Sequence, residues 1–181
     1  MAEEKLINVF LTGLLTDNEL IETLTGKPLK YNEDVVLEGF DLVIQRLNDI
    51  PESARDLLKK TWGDNFESYN LLPGERSIRG IKCQITQDQW NRLDDWELGE
   101  FGWFVPQEVE IKNLGSGQVE KVMTLVMGQG QTYDRKVDGI NPPQFLMPRE
   151  RTLQVASEVK KSYDARLGNI EGQRSILERG N

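Results

Sequence analysis

Apolar residues recur along the chain in two rhythms, one of strands and one of short helices. Residues 5–15, KLINVFLTGLL, form a β-rich apolar run that meets Gly13, which predicts a buried strand ending in a loop over Thr12 to Leu15. The next stretch, TDNELIETLTGKP, starts at a cap residue, Thr16 or Asp17. It sets Leu20, Ile21 and Leu24 on one face and stops at Gly26 and Pro28, the pattern of a short helix. DVVLEGFDLVIQRL reads as two β-rich pieces around Gly39. Asp49 and Pro51 then open an amphipathic helix through ESARDLLKKTW that ends at Gly63.

Residues 63–77, GDNFESYNLLPGERS, read as a loop with LPGE as its turn, and Tyr69 and Asn70 as loop-packing residues. IRGIKCQIT alternates, but its phase slips by one near Gly80, which predicts a bulge. TQDQWNRLDDW carries a cap at Thr86 and places Trp90 and Leu93 on one helical face; Trp62 and Trp90 are expected in the core. VPQEVEIKN and VEKVMTLVMG flank LGSGQ as a β-hairpin, with Gly115 and Gly117 expected at positive φ. Irregular polar residues and a stiff NPPQFLMP follow. A final helix from Arg149 carries a seven-residue stripe of Ala156, Tyr163, Ile170 and Leu177, with Leu153 and Leu167 beside it and Gly168 and Gly172 weakening it.

Those elements make an α+β domain over residues 1–148 and a helical extension over 149–181, whose stripe suits a second copy or a protein partner along Arg149 to Leu177. Charge separates the two parts. The chain carries a net charge of −8. The extension has seven Lys/Arg against five Asp/Glu, a net +2 that leaves −10 on the rest. An acidic body argues against a nucleic-acid partner, since phosphate binding runs on clustered cations. No apolar run reaches the roughly 18 residues of a membrane helix, and the acidic start MAEEKLINVF differs from a signal peptide; a cytoplasmic protein without membrane contact is expected.

The titratable inventory narrows the chemistry further. With no histidine and one cysteine, the chain has no Ser-His-Asp triad, Cys-His dyad, histidine zinc site or internal disulfide. Cys83 sits in an alternating stretch and is expected to be a buried strand residue. The carboxylates lack calcium-loop spacing, and the Gly-x-Gly of GQGQTYD opens no clear helix, so neither metal nor nucleotide cofactor is expected. Acid/base work then falls to carboxylates, Lys or Tyr. RLDDWELGEFGW, Arg92 to Trp103, concentrates Asp94, Asp95, Glu97 and Glu100 among aromatic residues. Two readings fit this segment: a solvated helix end beside core aromatics, or a pocket in which like charges and apolar walls raise one carboxyl pKa, Glu97 foremost.

Four segments in order resemble the gamma-glutamylcyclotransferase-like superfamily over roughly residues 6–130. They are VFLTGLL, LEGFDLV, YNLLPGERSIRGIKCQI and LDDWELGEFGWF, followed by VEI. The family's Tyr-Gly-Ser/Thr-Leu loop corresponds to Thr12-Gly13-Leu14-Leu15. Its Val-x-Gly signature corresponds to Ile78-Arg79-Gly80, and its Leu-Asp-x-x-Glu-Gly segment to Leu93 through Gly99, with Leu98 inserted before the glycine. Thr12 and Leu14 replace the family's tyrosine and hydroxyl residue. The resemblance implies a small mixed β-barrel-like sheet with flanking helices. It also implies cyclisation of a γ-glutamyl peptide or γ-glutamylamine to 5-oxoproline, with Glu97 as general acid/base. Thr12, Gly13, Leu14, Leu15 and Trp103 would form the substrate-binding set. A second function class stays open: a non-catalytic interaction or small-molecule-binding protein of the same fold, docking through its last helix.

Overall fold

The computed structural model describes residues 4–179, with side chains over 4–30 and 32–167. Its strands are β1 (Leu6–Leu11), β2 (Lys30–Arg46), β3 (Glu67–Thr86), β4 (Phe104–Asn113), β5 (Val119–Met127) and β6 (Arg135–Val137). The helices are α1 (Asn18–Thr25), α2 (Glu52–Trp62), α3 (Gln87–Trp96) and α4 (Arg149–Arg179). Strand order β3-β1-β5-β4-β2, with β2 also paired to β3, closes a barrel of five strands, and β6 adds to the outer reach of β2. The β1–β5 pair is parallel and the rest are antiparallel, so the barrel is mixed. This is the α+β, barrel-like architecture with flanking helices that the resemblance implies, with the C-terminal helix that the sequence pattern predicts. No described helix is long and apolar enough to cross a membrane.

The helices begin and end on the residues their caps dictate. Asp17 accepts a hydrogen bond from the Leu20 N–H at 2.9 Å, and Gly26 closes α1 at φ +79°. Thr86 and Gln89 exchange reciprocal bonds at the start of α3, a capping box that fixes the entry to the helix bearing Asp94 and Asp95.

The strands depart from the sequence expectations in instructive ways. β2 is one strand, bent where Gly39 takes φ +80°, rather than two pieces. Residues 67–77 are strand, not loop. Their ladder with β2 runs Arg46↔Glu67 to Phe40↔Pro73 and resumes at Glu38↔Ser77, so the LPGE turn chemistry is spent on a bulge at residues 74–76. Long-range pairing overrides the local turn propensity of Pro73 and Gly74 here. Across Gly80, by contrast, the register is unbroken, with Val35↔Gly80 and Val36↔Arg79 in sequence. The phase slip has another cause: Ile78 points into the barrel, whereas Ile81, Cys83 and Ile85 pack against helices on its outside. In the β4–β5 turn only Gly117 takes positive φ (+71°), not Gly115. Strand β6 was hidden in polar residues because it is an edge pairing with Leu42 to Ile44.

Three apolar clusters hold the body together. Phe10, Leu37, Leu42, Ile78, Val109 and Val122 fill the barrel. Val9, Leu20, Leu24, Cys83, Leu93 and Ala156 join β1 and β3 to α1, α3 and α4. Ala54, Leu58, Phe66, Trp103, Phe104 and Leu125 join α2 to the barrel's flank, and Trp62 and Trp90 pack on these outer clusters. Ala156 of the seven-residue stripe is buried against α1 and α3, and Tyr163 lies over α3. The side chains of Ile170 and Leu177 lie outside the described residues.

Candidate active site

α3 stops at Trp96, and Glu97 is its C-cap, with its N–H donating to the Leu93 carbonyl at 2.9 Å. The next residue, Leu98, takes φ +51°, the left-handed conformation that a leucine seldom adopts. Two glycines make the reversal feasible. Gly99 has no Cβ where the Asp94 carboxylate lies, and Gly102 turns at φ +73°. The backbone then enters Trp103, whose indole N–H donates to Gln45 Oε1 at 2.9 Å.

Gln45 anchors this turn from inside the body. Its Oε1 also accepts from Asn70 Nδ2 at 2.9 Å, and its Nε2 donates to Gln131 Oε1 and to the Thr132 carbonyl, both at 3.0 Å. Gln131 Nε2 in turn donates to the Gly102 and Trp103 carbonyls at 3.0 and 2.9 Å. This network holds the turn, so Glu97 projects from a fixed support.

The Glu97 carboxyl faces a cavity of about 430 Å³. Among the described residues, no hydrogen bond or ion pair involves that carboxyl. Burial, and secondarily the negative charge of Asp94, push its pKa up to about 8. Asp94 is itself raised by burial and by Asp95 and Glu100. Glu97 thus lies buried in a cavity wall and not on a solvated helix end. Among the described residues no group of three or more His, Cys, Asp or Glu is placed to share a metal ion. Cys83, fully buried, has its thiol pushed up to about 12 and is inert.

The glycine loop reaches the same place from the other side. After β1, Gly13 to Thr16 form a single 3₁₀ turn, whose first N–H groups have no partner within the turn. A smaller cavity of about 60 Å³ adjoins the first, and Leu14, Ser68, Tyr69 and Glu97 border both. Thr12 and Leu15 border only the smaller one. Gly13 takes φ +63° and lies over the Tyr69 ring, where a Cβ would stand 3.2 Å from Cδ2. Thr12 turns away: its hydroxyl donates to the Arg79 carbonyl at 2.9 Å, joining the loop to the Ile78-Arg79-Gly80 segment. Gly80 is needed there because a Cβ would strike the Leu11 carbonyl and the Phe10 ring. Trp103 contributes apolar wall to the larger cavity, with its polar atom pointed at Gln45.

Tyr69 opens a segment that carries the family resemblance but reads as a loop-packing residue, and the cavity residues after 140 carry no local signal. Tyr69, on β3 rather than in a loop, supplies the ring beneath Gly13 and donates its hydroxyl to the Pro143 carbonyl at 2.8 Å. Phe145 to Met147 and Val155, Val159 and Arg166 of α4 complete the larger cavity. Their distance along the chain from Glu97, about 50 to 70 residues, hides this from local pattern reading.

No family model matches the chain, and no curated protein matches it. Solved structures do. A gamma-glutamyl cyclotransferase superposes with a TM-score of 0.57 at 14% identity, over 91% of this chain and 87% of that one. An uncharacterized human protein gives 0.55 at 16% identity, over 74% and 71%. A mouse AIG2-like protein gives 0.52 at 16% identity, over 80% and 97%. By this likeness the chain has the gamma-glutamyl cyclotransferase-like fold.

Proposed function

We propose that this protein cyclises a γ-glutamyl amide to 5-oxoproline and releases the amine, with Glu97 as the general acid/base. The observation that carries the reading is the buried Glu97 carboxyl, unpaired among the described residues, at the junction of two cavities. The substrate's α-ammonium must lose a proton before its nitrogen can attack the γ-carbonyl. A carboxyl raised from the ordinary 4.5 to about 8 accepts that proton more readily than an ordinary glutamate would, by roughly 5 kcal/mol. The same proton then passes to the departing nitrogen as the carbon–nitrogen bond breaks.

The glycine loop supports the rest of this reading. N–H groups of Gly13 to Leu15 are suited to hold the substrate's α-carboxylate, with Tyr69 beneath the loop fixing its height. Holding the chain bent in this way brings the nitrogen and the carbonyl carbon together, the entropic part of the catalysis. Release of 5-oxoproline, followed by mass spectrometry over a panel of γ-glutamyl peptides, γ-glutamylamines and glutathione, tests it. Turnover by the wild type and none by Glu97→Gln is the expected result.

Leu14 favours one second reading, binding without turnover. It presents an alkyl chain to both cavities where the resembled family carries a hydroxyl. Under that reading the panel gives no 5-oxoproline, γ-glutamyl ligands still bind, and docking through α4 becomes the function to test.

A further inference from the structure

We infer that the Ser68 hydroxyl donates a hydrogen bond to the oxygen of the substrate's γ-carbonyl as the ring closes, which makes Ser68 a second catalytic residue beside Glu97. The inference rests on the cyclisation reading and completes its chemistry. When the α-nitrogen forms its bond to the γ-carbon, one electron pair of the carbonyl moves onto its oxygen, and an oxyanion develops. That pair returns as the bond from the γ-carbon to the leaving nitrogen breaks. Glu97 takes the ammonium proton and hands it to the leaving nitrogen, so the charge on oxygen needs a donor of its own.

Position singles out that donor. Leu14, Ser68, Tyr69 and Glu97 are the described residues that border both cavities, and the γ-carbon has to lie where the cavities meet if Glu97 is to reach both nitrogens. Leu14 has no polar side-chain atom, and the Tyr69 hydroxyl already donates to the Pro143 carbonyl at 2.8 Å. Ser68 stands directly opposite Gln45 in the β2–β3 ladder. Alternation along β3 sets Ser68 and Asn70 on one face, where Asn70 bonds to Gln45 and Gln45 to Trp103, a wall residue of the larger cavity. Among the described residues, the Ser68 hydroxyl has one hydrogen bond, to the adjacent Tyr69 carbonyl at 3.3 Å. That is longer than the usual O–H···O distance of about 2.7–2.8 Å, so the hydroxyl is readily turned to a better acceptor. Charge leaves the task to such a neutral group. No Lys or Arg is among the described residues bordering the smaller cavity, and Arg166, the one cation among those lining the larger, is held by both oxygens of Asp95 at 2.9 Å.

Ser68→Ala, assayed as 5-oxoproline release, decides it, the substrate being whichever of γ-glutamylalanine, γ-glutamylbutylamide and glutathione the wild type turns over fastest. kcat should fall about 100-fold with KM within about twofold of wild type, because the bond strengthens only as the oxyanion forms. Ser68→Thr keeps the hydroxyl at a strand position and should recover most of that loss. Calorimetric binding of the same substrate to Glu97→Gln should be unchanged when Ser68→Ala is added to it. Thermal melting confirms that each variant is folded. Ser68→Cys, near in size with a weak S–H donor, should also be slowed and takes the place of the alanine variant if that one melts early. Wild-type kcat in the variant lacking the hydroxyl, a loss confined to KM, or a folded Ser68→Thr no faster than that variant overturns the inference and leaves the cyclisation reading standing. No 5-oxoproline from folded wild-type protein with any of the three compounds overturns both.

Discussion

Arg166 holds both oxygens of Asp95 at 2.9 Å, which ties the C-terminal helix to the turn that ends in Glu97. The tie is part of a larger clasp. The Tyr163 ring packs against two guanidinium groups, Arg92 at 4.7 Å and Arg166 at 5.5 Å from its centroid, and Arg92 also binds Asp164 at 2.6 Å. α4 therefore supports α3 at the rim of the cavity, and its first half is a part of the site's frame.

Exposure ranks the two arginines. Arg166 is half exposed, and Arg166→Gln should lower stability by less than about 1 kcal/mol. Arg92 is 11% exposed and bridges Asp88 at 2.9 Å to Asp164, so Arg92→Gln should cost roughly 1–3 kcal/mol. Urea denaturation of both variants checks the order, and equal losses would mean the clasp is shared evenly.

Asp94 should set the pH range of the reaction. Its charge is the second cause of Glu97's raised pKa, after burial. If Glu97 must be ionised to take the ammonium proton, kcat/KM rises with pH through a midpoint near 8. Asp94→Asn keeps the side chain's shape over Gly99 and removes the charge, so this limb should move to lower pH. An unmoved limb, measured as 5-oxoproline release against pH, would assign it to another group.

Gly80 should tolerate no side chain. A Cβ would meet the Leu11 carbonyl, which is backbone, and the Phe10 ring, which is fully buried. Gly80→Ala should therefore destabilise the fold by about 1–3 kcal/mol and displace the glycine loop hinged at Leu11. Chemical denaturation measures the first effect. A control at Gly63, where nothing stands within 4 Å of the added Cβ, separates crowding from backbone strain, because Gly63 has φ +88°.

Local chemistry was legible in the sequence where the decisive interactions are local. Asp17, Gly26, Thr86 and Gly63 each mark a helix boundary, and each acts within a few residues of its partner. Glu97 stood out for a related reason, since its apolar flanks and acidic neighbours are adjacent in the chain. The misreadings cluster where distant pairing decides. Residues 67–77 have turn chemistry yet lie in a ladder with β2, and the Gly80 slip reflects two packing layers that no window of sequence reveals. Tyr69, read as a loop-packing residue, takes its place beneath Gly13 by strand pairing, and Arg166 reaches the site through the fold alone. Trp103 lies in the expected wall, though its indole N–H serves Gln45.

Glu97 should leave its mark on stability as well as on rate. Its pKa in the folded protein, about 8, lies above the ordinary carboxyl value of 4.5. Between those two pH values the folded chain keeps a proton that the unfolded chain has released. Stability should therefore fall as pH rises across this window, by up to about 1.4 kcal/mol per pH unit, and level off above it. Glu97→Gln mimics the neutral acid at every pH and lacks this term. The two proteins should have similar stability near pH 4.5, and the variant should be the more stable near pH 8.5. Subtracting the two curves cancels every other titrating group to first order, because those groups are common to both. A flat difference curve would place Glu97 in water rather than in the cavity, and would remove the proton acceptor on which the proposed reaction depends.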